Sequence, residues 1–184
     1  KTFYRRFIMD DYIFTSKRLG FRNWKTTDVH LLFDINADEN VMQFFPSIQT
    51  REQTESFIDR MQNQYKEKGF CYFAVEILET NQFIGFIGLS EQKFKADFTP
   101  AIDIGWRLNP NFWHKGYATE GAKRCLEFGF HQLKLKEIIA TAPTINLPSI
   151  TVMQKIGMQK VKSFKHPLLK EYSELETCVL YSIK

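Results

Sequence analysis

The 184-residue chain predicts an α/β fold, an α+β mixed sheet flanked by helices, and two observations predict it. Apolar runs at 70–78 and 83–89 flank the polar turn Glu79-Thr80-Asn81-Gln82 and read as an antiparallel hairpin. A strand at 101–108, an amphipathic helix after Gly116 and a strand at 137–144 form a strand–helix–strand unit. Such a unit needs parallel strands joined by a right-handed crossover.

The remaining elements fall in order around these. An early strand ends in Leu19-Gly20-Phe21-Arg22, and a helix begins near Thr27-Asp28. Thr50-Arg51-Glu52-Gln53 has the form of a capping box, after which Phe57, Met61 and Tyr65 recur at helical spacing until Gly69 offers a stop. Following the hairpin and a looser segment at 93–100, Asp103 alternates against Ile102, Ile104 and Trp106 along the third strand. Ala118, Ala122, Cys125, Gly129 and Leu133 mark one face of the crossover helix. Pro148 suits the first turn of a further helix that Gly157 ends, and strands at 158–165 and 174–183 close the chain.

Composition narrows the function classes. With 43% hydrophobic and 25% charged residues, the chain reads as a single globular domain over 1–184, large enough to bury a core without staples. Its 18 Phe residues predict an aromatic core and cleft. A net charge of +4 suits an anionic ligand without demanding nucleic acid. A nucleic-acid-binding module would rest on the basic tracts Lys1 to Arg6 and Lys17-Arg18 alone and is the weakest reading. Cys71, Cys125 and Cys178 form no C-x-x-C pair, which argues against disulfides or zinc and for a reducing, cytoplasmic setting. His30, His114, His131 and His166 lack ligand spacing, so no metal site is expected. The basic start carries no apolar signal core, and no stretch is apolar enough to span a membrane.

The most specific motif is Trp113-His114-Lys115-Gly116-Tyr117-Ala118-Thr119-Glu120, a glycine turn between a strand and a helix. Converging backbone N–H groups and the helix dipole make such a turn a phosphate cradle, and Gly116 permits close approach. Neither G-x-G-x-x-G nor G-x-x-x-x-G-K-[ST] occurs in the chain.

The turn resembles the acyl-CoA pyrophosphate loop of the GNAT superfamily of N-acetyltransferases, Q/R-x-x-G-x-G/A, with Trp113 replacing Gln or Arg. Trp followed by Lys-Gly-Tyr-Ala-Thr-Glu is similar to the branch that includes ribosomal-protein N-terminal (alanine/serine) acetyltransferases. Val41-Met42-Gln43-Phe44-Phe45-Pro46 resembles that branch's acceptor-side loop. Asn146-Leu147-Pro148-Ser149 and Lys155-Ile156-Gly157-Met158 resemble its N-x-x-S and K-x-G-F elements, with Met for Phe. The match runs over residues 12 to 183, and several elements in order are more specific than any one motif.

The resemblance implies the GNAT acyl-CoA N-acyltransferase fold, in which two parallel central strands splay apart, and acetyl-CoA as cosubstrate. It implies a pyrophosphate held by backbone N–H groups between His114 and Thr119, that is, by His114, Lys115, Gly116, Tyr117, Ala118 and Thr119. The main chain of Trp106, Arg107 and Leu108 would pair with the pantetheine amides as an added strand, and an N–H near Leu108 would meet the oxyanion. Asn146 would bond the pantetheine from the opposite wall, or serve only as a turn or helix-entry residue. Relatives often place a Tyr acid where this chain has Met153, so Ser149, also expected among the cofactor-binding residues, becomes the residue that donates a proton to the sulfur or relays one through water; its structural alternative is a helix-start hydrogen bond. Asp103 is the expected general base, or else a solvated strand-face charge. Glu120 favours the helix dipole, and Glu91 and His166 stand in reserve.

The implied activity is acetyl transfer to a primary amine, a protein N-terminus or a small molecule, by direct attack in a ternary complex. A non-catalytic acyl-CoA-binding or regulatory domain is the alternative. Expected partners are the amine acceptor alone, with no nucleic acid and no membrane, in a monomer or homodimer.

Overall fold

Apolar alternation in the sequence becomes one eight-stranded sheet in the computed structural model, which describes residues 11–184. The basic start, Lys1 to Arg6, lies outside the described residues. The strands are β1 (Phe14–Thr15), β2 (Leu19–Arg22), β3 (Tyr72–Ile77), β4 (Gln82–Gln92), β5 (Ala101–Leu108), β6 (Ile138–Pro143), β7 (Gln159–Lys165) and β8 (Thr177–Ile183). They lie in the order β1-β2-β3-β4-β5-β6-β8-β7.

The helices are α1 (Val29–Asn36), α2 (Glu39–Met42), α3 (Arg51–Lys68), α4 (Tyr117–Glu127), α5 (Leu147–Lys155) and α6 (Ser173–Glu176). The predicted capping box is present at α3: the Thr50 side chain accepts from the Gln53 amide while Gln53 returns a bond to Thr50. Gly69 ends that helix in the left-handed region at φ 77°. Pro148 sits in the first turn of α5 as expected.

Successive residues of β4 divide the core. Phe86 faces Phe57 of α3, ring centroids 5.0 Å apart, whereas Ile87 faces α4, where a Cβ on Gly121 would come within 2.3 Å of its Cδ1. Helices therefore pack on both faces of the sheet. Leu19, Phe21, Leu32, Phe73, Ile87 and Leu89 are fully buried between them.

Pairing is antiparallel throughout except between β5 and β6. β4 pairs with β5 from Gln92↔Ala101 to Gly85↔Leu108. β5 and β6 meet in register only at Asp103↔Ile139, and toward their C-terminal ends they part. This is the splay that the resemblance implied.

Several boundaries differ from the sequence reading. β4 runs on to Gln92 because Ser90, Glu91 and Gln92 still find ladder partners on β5. The strand expected over 174–183 starts only at Thr177. Residues 173–176 form a helical turn, in which the Leu175 and Glu176 amides both donate to the Tyr172 carbonyl at 2.9 Å. The crossover helix finishes in a π-turn, Phe128–Gln132. Val41 and Met42 lie in the short helix α2 rather than in a loop. The helix expected near Thr27 opens as a 3-10 turn, Thr26–Asp28.

Candidate active site

The parting of β5 from β6 opens a cavity of about 300 Å³. Asp103, Trp106 and Arg107 line one wall, Thr141, Ala142, Asn146 and Ser149 the other, and Phe44, Phe45, Pro46, Tyr72 and Phe86 an aromatic side.

Antiparallel alternation decides which backbone groups face the opening. The Asn109 amide donates to the Ile84 carbonyl at 2.9 Å, so the main-chain groups of Arg107 point to β4 and those of Trp106 and Leu108 point away from it, toward the parting. Trp113 Nε1 takes the Leu108 carbonyl at 2.8 Å. This bond closes the turn after β5, a structural part for the Trp that departs from the family motif. Of the three residues expected to pair with pantetheine, Arg107 thus presents its side chain rather than its amide.

The chain leaves β5 through a 3-10 turn, Pro110–Phe112, and bends twice in the left-handed region, at His114 (φ 59°) and Gly116 (φ 79°). Glycine adopts that conformation without the steric cost of a Cβ. Gly116 is the N-cap of α4, and no side chain caps this end. The first-turn amides of Tyr117, Ala118 and Thr119 lack intrahelical partners, as at any helix start, and suit an anion. His114, Lys115 and Gly116 are exposed, while residues 117–119 are half-buried.

Arg18 and Glu120 brace this turn. Arg18 donates to the Lys115 carbonyl at 3.0 Å and to the Glu120 carboxylate at 2.6 Å, and Ser16 Oγ donates to the same carboxylate at 2.7 Å. Burial alone would raise the Glu120 pKa, but these hydrogen bonds hold it below the usual carboxylate value. Glu120 has the structural role. Arg18, read in the sequence only as part of a basic tract, is a loop brace that linear distance concealed.

Asp103 is 8% exposed, so it is not a solvated strand-face charge. The Tyr72 hydroxyl donates to its Oδ1 at 2.6 Å, and Gln92 Nε2 donates to the Tyr72 oxygen at 3.2 Å. Burial pushes the Asp103 pKa up to about 6 against these hydrogen bonds. Sequence reading missed Tyr72 as a site residue. Its ring lies against Gly105, where a Cβ would come within 2.9 Å, and the only hint was a phenol within a buried strand.

At α5 the Asn146 side chain is the cap, accepting the Ser149 amide at 3.2 Å. Helix-start bonding therefore belongs to Asn146, and the Ser149 hydroxyl is not needed for it. Met153, one turn on, is buried in the cavity wall. Of the reserve residues, Glu91 is tied to Lys68 and Lys93 outside the cavity. His166 lines the cavity, and burial lowers its pKa.

Cys71, Cys125 and Cys178 are free and buried, and burial raises each thiol, Cys178 to about 11. A thiol so raised is a poor nucleophile. Among the described residues no group of three or more His, Cys, Asp or Glu could hold a metal ion, and no helix is long and apolar enough to cross a membrane.

A mixed sheet parted between two parallel strands, with an uncapped glycine-led helix start following the first of them, is the arrangement expected of the GNAT fold. The acetyltransferase (GNAT) domain model matches residues 18–159. The Bacillus subtilis (strain 168) protein named "Uncharacterized N-acetyltransferase YnaD" is 36% identical over 152 residues, 82% of this chain and 85% of that protein. A GNAT-family acetyltransferase structure from Bacillus anthracis superposes with a TM-score of 0.76 at 31% identity, covering 92% of this chain and 96% of that one. A ribosomal L7/L12 α-N-protein acetyltransferase solved with coenzyme A shares the fold at a TM-score of 0.73 and 15% identity, covering 93% and 96%. The chain belongs to the GNAT family of acetyltransferases, which transfer acetyl groups from acetyl-CoA to amines.

Proposed function

We propose that this chain, as one catalytic domain, acetylates a primary amine of a protein N-terminus or small molecule by direct attack in a ternary complex. The observation that carries the reading is Asp103, a buried carboxylate whose pKa of about 6 suits a base at neutral pH, lining the cavity where β5 leaves β6.

The residues present fit acetyl-CoA. Bound there, it supplies an activated acetyl thioester. The backbone from His114 to Thr119 holds its pyrophosphate, Trp106 offers its main-chain groups to the pantetheine arm, and Asn146 bonds it from the facing wall. The Leu108 N–H stabilises the charge that develops on the carbonyl oxygen.

The acceptor must lose a proton, since an alkyl ammonium has a pKa near 10.4 and an α-amino group about 7.7 to 8.0. Asp103 takes that proton, directly or through water, with Tyr72 fixing the carboxylate. As the C–S bond breaks, the Ser149 hydroxyl relays a proton to the departing sulfur and is itself reprotonated by water.

Met153 at the place of the usual Tyr favours a second reading, a non-catalytic acyl-CoA-binding domain. Thiol release from acetyl-CoA across a panel of amines separates the two. Turnover with any of them supports the enzyme, while tight acetyl-CoA binding without turnover over the whole panel supports the binding domain.

A further inference from the structure

Among the described residues, the buried Arg22 and the half-buried Arg107 are treated differently. Arg22 is neutralised twice, by Asp28 at 2.8 Å and by Glu76 at 2.6 Å. Arg107 has no carboxylate within ion-pair distance among the described residues. Its Nη1 donates to the Asn36 amide oxygen at 2.7 Å, and its guanidinium lies over the Phe45 ring at 4.5 Å and the Phe86 ring at 5.3 Å. Its Nε is buried with no hydrogen-bond partner, the one such side-chain nitrogen or oxygen among the described residues. Burial lowers its pKa to about 10, so it stays charged at neutral pH.

An uncompensated cation and an orphaned donor are both costly inside a protein. Both lie in the cavity wall. The surroundings are nevertheless built to hold the side chain in place. Asn36 is fully buried, and its amide nitrogen donates to Gln49 Oε1 at 2.9 Å and to Thr54 Oγ1 at 3.0 Å, which turns its oxygen toward Arg107. Aromatic faces and a fixed amide orient the guanidinium without neutralising it.

We infer that the acceptor amine carries an anionic group, a carboxylate or a phosphate, and that the Arg107 side chain binds it. Nη2 makes no hydrogen bond to the described residues and is not enclosed as Nε is, so its N–H groups are the ones that meet the oxygens of such a group. Asp103 and Arg107 project from the same face of β5, four residues apart. The cavity thus offers an acidic place for an ammonium and a basic place for an anion, and it opposes polycationic amines. The inference rests on the acetyl-transfer reading and narrows its substrate class.

The test compares matched acceptors by thiol release: L-phenylalanine and L-methionine against their carboxamides, O-phosphoethanolamine against ethanolamine, with spermidine and a C-terminally amidated alanyl peptide alongside. The wild type is expected to favour an anionic member by tenfold or more in kcat/KM. The two anions distinguish a carboxylate source from a phosphate source. In Arg107→Gln the ratio falls to within about twofold, and Arg107→Lys restores part of it. Equal or better turnover of the carboxamides, ethanolamine, spermidine or the peptide overturns the inference, as does an unchanged ratio in Arg107→Gln.

The wild-type comparison needs no variant to fold. Should no amine turn over, binding of N-acetylphenylalanine against its amide to the CoA-loaded protein decides the point. An Arg107-dependent preference upholds the anion site while transfer fails, and no preference removes it.

Discussion

Asp103 carries a folding cost with a definite pH dependence. Its pKa rises from 3.8 to about 6 on folding, so between those values the folded state binds more protons than the unfolded one. Stability therefore falls as pH rises through that window, and the penalty is fully present above about pH 6. Asp103→Asn keeps an acceptor for the Tyr72 hydroxyl and removes the charge. At pH 7.5 it is expected to be more stable by about 1 to 3 kcal/mol in denaturant titration, while turnover falls by about 10² or more. Wild-type kcat/KM should rise through about pH 6. Tyr72→Phe removes a hydrogen bond that lowers the Asp103 pKa, so it should move that rise to higher pH; a pH–rate profile insensitive to both substitutions removes Asp103 as the base. Ser149 gives a different signature. Because Asn146 supplies the cap, Ser149→Ala should leave thermal stability and acetyl-CoA affinity nearly intact and lower turnover alone, whereas Asn146→Ala should lose about 1 kcal/mol of stability. Equal turnover numbers for wild type and Ser149→Ala would take the hydroxyl out of the mechanism.

At the scale of elements, the cofactor turn and the parted strands do different work. A Cβ at Gly116 would meet nothing closer than an Arg18 nitrogen at 3.5 Å, so space does not demand glycine there. The left-handed φ of 79° does. Gly116→Val is expected to cost about 1 to 2 kcal/mol of stability through that conformation. Its branched side chain would also stand where the proposed mode of binding brings the pyrophosphate, so acetyl-CoA affinity should drop by tenfold or more in calorimetry. Unchanged affinity in a folded variant would reduce the turn to a plain helix start. α3 was fully legible from its capping box and terminal glycine, because both signals act within a few residues. The helical turn at 173–176 was not, since an apolar Leu175 fits a strand pattern as well as a buried turn.

For the whole molecule, the cavity exists because β6 pairs with β8 along its length yet touches β5 in register only at Asp103↔Ile139. The main-chain groups of Trp106 and the Leu108 amide, which a flat sheet would consume, are left for a ligand. A ligand that inserts there binds only the folded chain and stabilises it by mass action, by about 2.7 kcal/mol at a hundredfold excess over Kd. Acetyl-CoA and CoA should therefore both raise the melting temperature by several degrees. No protection of the folded protein at millimolar ligand would defeat the proposed mode of binding.

The sequence by itself determined the strand and helix series and the glycine turn, which are signals of spacing and local chemistry that survive without knowledge of neighbours. Its resemblance to the family supplied the order of the remaining elements and Asp103 and Ser149 as candidates. Tertiary structure decided what those residues do. Tyr72 meets Asp103 across 31 positions and Asn36 meets Arg107 across 71, distances over which periodicity carries no information. It separated Glu120, bound into a brace by Arg18 and Ser16, from Asp103, buried and raised in pKa. It also left Arg107 charged and uncompensated while Arg22 is paired twice, because burial and charge balance are set by what the fold brings alongside, not by the chain's own order.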